Sequence, residues 1–336
     1  MQIIKAGYEI FPPVDGANTL KKLERVARVC YKSEDKIGIG SHKKMVGALV
    51  NSKHYAMLEH ATIILLVDNS VFEDTRSTIR EMAERWGETS FLRFTSLKCS
   101  KRNIISGNIR AWLEHLEKCI YYRVGINEAI FNALIANEAV SYKYTPIFDG
   151  ISSMLMNFGS DFVYSGCYCK ELFAKDLTVE ERLVHEDITV KFICDRGVSH
   201  EIVRHRVASF AQESTRYCNY GSKGGEITAI KPCYLSDSGE DYSLWRKSCV
   251  VAEKQYLDML AYGLSPQEAR AVLPTSLKTE VVMTANLREW RHFFSLRACG
   301  ATGKPHPQML EVALPLLKEL RGIIPVVFDD LEPMEV

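Results

Sequence analysis

The sequence predicts a mixed α and β fold, and three observations predict it. Apolar residues recur at helical spacing in several stretches. Short apolar or alternating runs at 2–11, 61–67 and 188–194 read as strands. The composition, 46% hydrophobic and 25% charged over 336 residues, is that of a globular chain with enough apolar residues for a sizeable core.

In chain order, residues 2–11 alternate loosely and predict a strand. After the turn-rich PPVDG, Leu20, Leu23, Val26, Ala27 and Cys30 fall at helical spacing. Ser41 is placed to cap a second helix running to about Lys53, with Met45, Leu49 and Val50 on its apolar side. Ala61 to Val67 is almost wholly apolar and predicts a buried strand. Residues 71–86 read as helix, SLKCSKRNIISGN as loop, and about 108–138 as a further helix, before the Gly- and Ser-rich DGISSMLMNFGSDF. No Pro-rich or low-complexity linker bounds this region. It therefore reads as an insertion, at about 68–187, in a single domain spanning 1–336.

ITVKFIC, residues 188–194, predicts a strand that Asp195-Arg196-Gly197 ends, and Ser199 is placed to cap the helix leading to Arg204. Ser265-Pro266-Gln267-Glu268 is a helix start with a cap, a first-position proline and a capping box. That helix carries Arg270 and ends near Leu273-Pro274. NLREWRHFFSLR, residues 286–297, predicts another helix. A last one, from about His306 to Leu320, precedes the strand-like PVVF. Asn108-Ile-Arg-Ala-Trp112 echoes Asn286-Leu-Arg-Glu-Trp290, which reads either as an internal repeat or as coincidence.

Bulk charge and cysteines narrow the function classes. Lys+Arg and Asp+Glu stand at 42 each, so no global field favours nucleic acid or an acidic membrane, and any anion recognition is local. Ten cysteines show no CxxC pair. Cys167 and Cys169 form the one tight pair, with no second pair at ligand spacing, so no metal is expected. The N-terminus lacks the pattern of a signal peptide, and no run approaches the ~18 apolar residues of a membrane helix. A cytoplasmic protein with reduced thiols is expected.

The stretch RHRVASFAQESTRY, Arg204 to Tyr217, concentrates Arg204, His205, Arg206, Ser214, Thr215 and Arg216. Any one of these arginines reads first as a surface ion pair, worth under ~1 kcal/mol. Together with Arg270 and Arg297 they form planar, bidentate donors suited to phosphate. His205 between two arginines has its charged form disfavoured, which suits neutral packing or hydrogen bonding rather than a base. Ser214 could be a nucleophile with His54, His60 or His205 as base, but GxSxG is absent. GxxxxGK[ST] and GxGxxG are absent too, so side chains must hold any nucleotide.

Arg204-His205-Arg206, seven residues, then Ser214 with Arg216 and Tyr217 strongly resembles the motif of the flavin-dependent thymidylate synthases. Four further segments resemble that family in order: Arg25 to Tyr31, His54 to His60, Glu268 to Pro274, and Asn286 to Arg297. The resemblance covers roughly 1–67 and 188–330. It implies an α+β subunit with a twisted, largely antiparallel or mixed sheet flanked by helices, a helical subdomain, and a homotetramer with sites at subunit interfaces. It also implies methylation of dUMP to dTMP, with methylenetetrahydrofolate as carbon donor and FAD, reduced by NADPH, as hydride source. Nucleic acid and membrane are not expected partners.

Residue by residue, the resemblance implies FAD contacts at Cys30, Ala56, Glu59, Arg204, His205, Arg206, Gln212, Asn286, Arg288 and His292. It implies dUMP contacts at Glu201, Arg204, Gln212, Ser214, Thr215, Arg216, Arg270 and Arg297. Arg297 resembles the arginine beside the uracil ring and is the expected catalytic residue. Several positions depart from the family pattern. Cys30 stands for a serine, Ala56 for a threonine, Gln212 for a glutamate with Glu213 next to it, Glu201 for a glutamine, and His292 for an asparagine. Two other readings keep the cationic cluster: a flavin-dependent nucleotide hydroxymethylase on the same fold, and a non-catalytic phosphate or nucleic-acid binding protein.

Overall fold

The computed structural model describes residues 1–13, 18–86, 92–97, 102–122, 124, 127–141, 168–222 and 225–334. Strands β1 (Gln2–Ile4) and β2 (Gly7–Ile10) precede helices α1 (Thr19–Tyr31) and α2 (Ser41–Asn51). A 3-10 turn (Tyr55–His60) leads to β3 (Thr62–Val67), α3 (Asn69–Trp86), β4 (Arg93–Leu97) and β5 (Arg102–Asn108). Next come α4 (Ile109–Tyr122), α5 (Glu128–Ile135), β6 (Cys169–Leu172) and α6 (Val179–His185). The C-terminal half contains β7 (Asp187–Asp195), α7 (Arg196–Ile202), β8 (Ser209–Gln212), β9 (Thr228–Ile230) and α8 (Glu240–Ala261). It closes with α9 (Pro266–Ala269), β10 (Lys278–Asn286), α10 (Leu287–Arg297) and α11 (Pro307–Ile323).

The chain divides into two compact units, and α1 contributes to both. The first is Met1–Pro12, Val26–Lys36 and Ile188–Val336; the second is Pro13–Arg25 and Ile37–Asp187. The stretch expected as an insertion falls wholly within the second. The α+β class holds in both, but among the described residues the strands form three small sheets rather than one.

In the first unit, β1 pairs in parallel with β9, and a four-stranded sheet has the order β2-β7-β10-β8. β7 is buried at most positions because it is internal and carries ITVKFIC between covered faces. Beneath α10, Trp290, Phe293 and Phe294 pack with Phe192 and Phe328, all fully buried. Burying five aromatic side chains here fixes α10 against the sheet.

In the second unit the sheet order is β4-β5-β3-β6, antiparallel throughout. Its core gathers Leu20, Leu23, Val46, Leu65, Phe72, Ile105 and Trp112.

Several expectations change. SLKCSKRNIISGN supplies strands rather than a loop: Ile104 and Ile105 are buried where β5 pairs with β3 and β4. The expected helix over 108–138 is two helices, α4 and α5, with the side chain of Asn127 capping the second. DGISSMLMNFGSDF lies outside the described residues. Ser41 is the first residue of α2, not its cap; Gly40, at φ 72°, holds the cap position, and the Ser41 hydroxyl turns back to Gly38 and Glu24. PVVF forms turns, with Val326 at a positive φ of 76°, and not a strand. Among the described residues no helix is long and apolar enough to cross a membrane.

Candidate functional site

The first unit assembles most of the sequence-predicted residues at the ends of β7, β8 and β10. Asp195, last in β7, starts α7: its Oδ1 accepts from Val198 N at 2.9 Å, and its Oδ2 accepts from Gln308 Nε2 at 2.5 Å. Ser199, expected as the cap, lies one turn inside, where its hydroxyl donates to Arg196 O at 2.8 Å. A residue preceding the first turn can reach the free N–H groups; one inside it cannot. α7 is short, and the chain turns after Ile202, leaving Arg204 and Arg206 exposed and His205 buried.

His205 links two elements. Its Nδ1 lies 3.2 Å from Glu289 Oε1, and its Nε2 accepts from Arg297 Nε at 3.4 Å. A carboxylate only accepts and a guanidinium only donates, so these partners assign the proton to Nδ1. The ring packs on Phe293 with centroids 5.0 Å apart and lies 5.7 Å from the His292 ring. Arg297 also donates from Nη1 to Glu201 Oε2 at 2.7 Å and from Nη2 to the Glu201 carbonyl at 3.2 Å.

His205, Glu289 and His292 each present a ligand atom, all within 4.8 Å of one another. Spacing of this kind can hold a metal ion. The Arg297 guanidinium on His205 opposes a second cation there. Glu289 was not among the residues singled out from sequence; its signal is a place three residues before His292 on one helix face.

The loop after β8 is anchored from below. Gln212 Nε2 donates to Ser199 Oγ at 3.0 Å and Thr279 Oγ1 at 3.2 Å. The Glu213 carboxylate accepts from Tyr220 OH at 2.8 Å and from Lys278 Nζ at 2.9 Å, and Lys278 also reaches Glu280 at 2.5 Å. Burial alone would lower the Lys278 pKa, but Glu213 and Glu280 outweigh it and raise it above the ordinary lysine value. Lys278, Tyr220 and Thr279 escaped the sequence reading. Lys278 and Thr279 have a signal in KTEVVMTAN, a strand that begins with buried polar residues, whereas Tyr220 has none.

Above this base, Ser214 N donates to the Cys30 carbonyl at 3.1 Å. Cys30 therefore meets the loop through its backbone, and burial pushes its thiol up to about 11. Arg270 Nη1 donates to Thr215 Oγ1 at 3.3 Å, and the exposed Arg216 lies over the Tyr217 ring at 5.5 Å. On α10, Asn286 caps the helix through Glu289 N at 2.9 Å, while Arg288 and His292 are exposed. Arg204, Arg206 and Arg288 meet no carboxylate among the described residues. A cavity of about 400 Å³ lies beyond the loop, lined by Tyr31, Lys32, Tyr217, Asn219 and Tyr220 among others.

Two predicted residues belong to the second unit. Ala56 is half-buried in the 3-10 turn, and Glu59 Oε1 accepts from Arg110 Nη1 at 2.7 Å. His54 and His60, considered as bases for Ser214, belong to that unit too.

The fold and this site define an α+β protein with a cluster of cations and hydroxyls presented on strand ends. Residues 174–326 match the family model described as Thymidylate synthase complementing protein. Among curated proteins, flavin-dependent thymidylate synthase from Pyrococcus abyssi is 35% identical over 127 residues, which are 38% of this chain and 51% of that protein. The protein of the same description from Pyrococcus furiosus is 33% identical over 141 residues, 42% of this chain and 54% of its own length. That from Geobacter sulfurreducens is 30% identical over 138 residues, 41% and 57% of the two chains. The chain thus spans about half the length of the curated relatives it matches. A solved UMP/dUMP methylase from Streptomyces cacaoi, bound with 5-Br UMP, is 23% identical and covers 43% of this chain and 71% of that one, at a TM-score of 0.37.

Proposed function

We propose that the protein methylates dUMP to dTMP, taking the carbon from methylenetetrahydrofolate and using FAD reduced by NADPH. The observation that carries this reading is the Arg297–His205–Glu201 contact set next to exposed, acid-free guanidiniums. Arg204, Arg206 and Arg288 are the kind of donors that a flavin pyrophosphate or a nucleotide phosphate requires. The residues present therefore fit FAD, which would be held by Arg204, His205, Arg206, Asn286, Arg288 and His292, with Cys30 and Gln212 contributing as the family pattern implies. When bound, that cofactor supplies the hydride that turns the transferred one-carbon unit into a methyl group.

The chain's own residues bind and polarise the nucleotide. Ser214, Thr215, Arg216 and Arg270 receive the phosphate end of dUMP, and Arg204 serves both ligands. Arg297 has five N–H groups, of which three are committed to Glu201 and His205, so two remain to face the pyrimidine. Held there, a fixed cation stabilises negative charge along the N3–C4–O4 edge and makes C5 the nucleophile. Ser214 orients the nucleotide, and no covalent protein nucleophile is required. Gln212 faces the ligand through its carbonyl oxygen, whereas Glu213 is spent on Lys278 and Tyr220 and positions the loop.

The family's homotetrameric assembly, with sites shared between subunits, belongs to the same reading. The test is optical. Purified protein carrying FAD should be yellow and should bleach under anaerobic NADPH. A colourless protein that takes up no FAD would contradict the proposal and favour a non-catalytic phosphate binder.

A further inference from the structure

The echo between residues 108–112 and 286–290 is not absorbed by the site, which uses only its second member. The two segments occupy the same place in two similar sheets. Read from its outer edge, the first unit's sheet runs β2-β7-β10-β8, and the second unit's runs β6-β3-β5-β4. The outer pairs agree in sense: β2 with β7 and β6 with β3 are antiparallel, as are β10 with β8 and β5 with β4. Chain order agrees as well, from β7 through α7, β8, β10, α10 and α11, and from β3 through α3, β4, β5, α4 and α5. α11 packs on the edge strand β2, and α5 on the edge strand β6. Two differences remain: the edge strand precedes the rest in one unit and follows it in the other, and the first unit carries β9, α8 and α9 between β8 and β10.

The side-chain determinants coincide too. Asp68 Oδ1 accepts from Val71 N at 3.1 Å to start α3, as Asp195 accepts from Val198 N at 2.9 Å to start α7. Asn108 Oδ1 accepts from Ala111 N at 2.8 Å, as Asn286 accepts from Glu289 N at 2.9 Å. Trp112 and Trp290 are both fully buried, and each indole N–H donates to the second residue of the neighbouring central strand, Ile63 O at 3.3 Å and Ile188 O at 3.1 Å. These tryptophans sit 49 and 102 residues from their acceptors, so local sequence cannot produce the coincidence.

We infer that the second unit is a second copy of the module that carries the candidate site, and that this copy has lost its anion receptor. Aligning Asp68 with Asp195 places Ser77, Thr78 and Ile79 where Arg204, His205 and Arg206 stand. There α3 continues unbroken, whereas α7 ends and exposes its arginines. Aligning Asn108 with Asn286 places Glu114 at His292 and the buried Cys119 at Arg297. Arg110, at the position of Arg288, is the retained cation. It is neutralised by Glu59 at 2.7 Å and Glu114 at 2.6 Å. Three arginine positions are empty of charge and an acid has been gained, so a nucleotide phosphate finds no partner. The loss of function rests on the proposed reading of the site; the shared module does not.

Calorimetric titration of dUMP into the FAD-loaded full chain tests the loss. One nucleotide per chain is expected, and two per chain would overturn it. No binding at all would instead sink the proposed function. The shared module is tested separately by Trp112→Phe and Trp290→Phe. Each should lower Tm by about 2–4 °C, and only Trp290→Phe should weaken dUMP binding severalfold. Wild-type melting of Trp112→Phe beside a destabilised Trp290→Phe would overturn the duplication. Equal weakening of dUMP binding by both would overturn the assignment of a silent copy.

Discussion

Arg297 shows how one side chain can be both restrained and available. Its contacts to Glu201 and His205 fix the fork, and two of its five N–H groups stay uncommitted to these partners. Arg297→Ala should cut dTMP formation by roughly 10²–10³-fold while flavin content is kept; parallel loss of both, read from assay and absorbance, would count against its role on the uracil. Glu201→Gln keeps an acceptor for Nη1 and removes a negative charge near an anionic substrate. A lower KM for dUMP with turnover retained is expected, and steady-state kinetics would register the opposite if the carboxylate itself were needed. Ser214→Ala should slow turnover about tenfold without abolishing it. Complete loss, together with a covalent adduct trapped on the wild-type protein, would restore Ser214 as nucleophile. At this scale the sequence was informative about which residue types cluster, and uninformative about what each one touches. Glu213 looked interchangeable with Gln212 until Lys278, sixty-five residues away, claimed its carboxylate.

Elements were legible where capping and periodicity agreed. Asn286 before LREW and Ser265-Pro266 before Gln267-Glu268 announce α10 and α9, and both caps form. The β4–β5 pair was not legible, because Ser, Lys, Asn and Gly mimic a loop. Its strands exist because tertiary pairing with β3 overrides local preference. α8 offers the opposite difficulty: among its 22 residues only Cys249 and Tyr256 are buried, so its apolar face is faint. The second unit's sheet also carries a pH liability. His185 lies between Thr95 Oγ1 at 2.6 Å and Ser106 Oγ at 2.7 Å, and burial, aided by Arg93, lowers its pKa from 6.5 to about 4. The depressed value means that stability is fully present above about pH 6.5 and is lost as pH falls towards 4. The loss is on the order of 3 kcal/mol. Thermal melts across that window should show Tm falling, and His185→Gln should flatten the slope; an unchanged slope would contradict the assignment.

On the scale of the whole molecule, the sequence pointed to a single module carrying an insertion, because no linker composition marks a second one. The repeated sheet is nearly invisible in the residues, since what was retained is an Asp cap, an Asn cap and a tryptophan, while the ligand-facing positions diverged. The family match over 174–326 covers the segment that retains the cations. The measurement that bears most directly on the proposed function is product analysis after incubating the FAD-loaded protein with dUMP, methylenetetrahydrofolate and NADPH. dTMP formed in step with NADPH consumed is the expected result. Accumulation of 5-hydroxymethyl-dUMP, or unchanged dUMP on a protein that holds FAD, would contradict it.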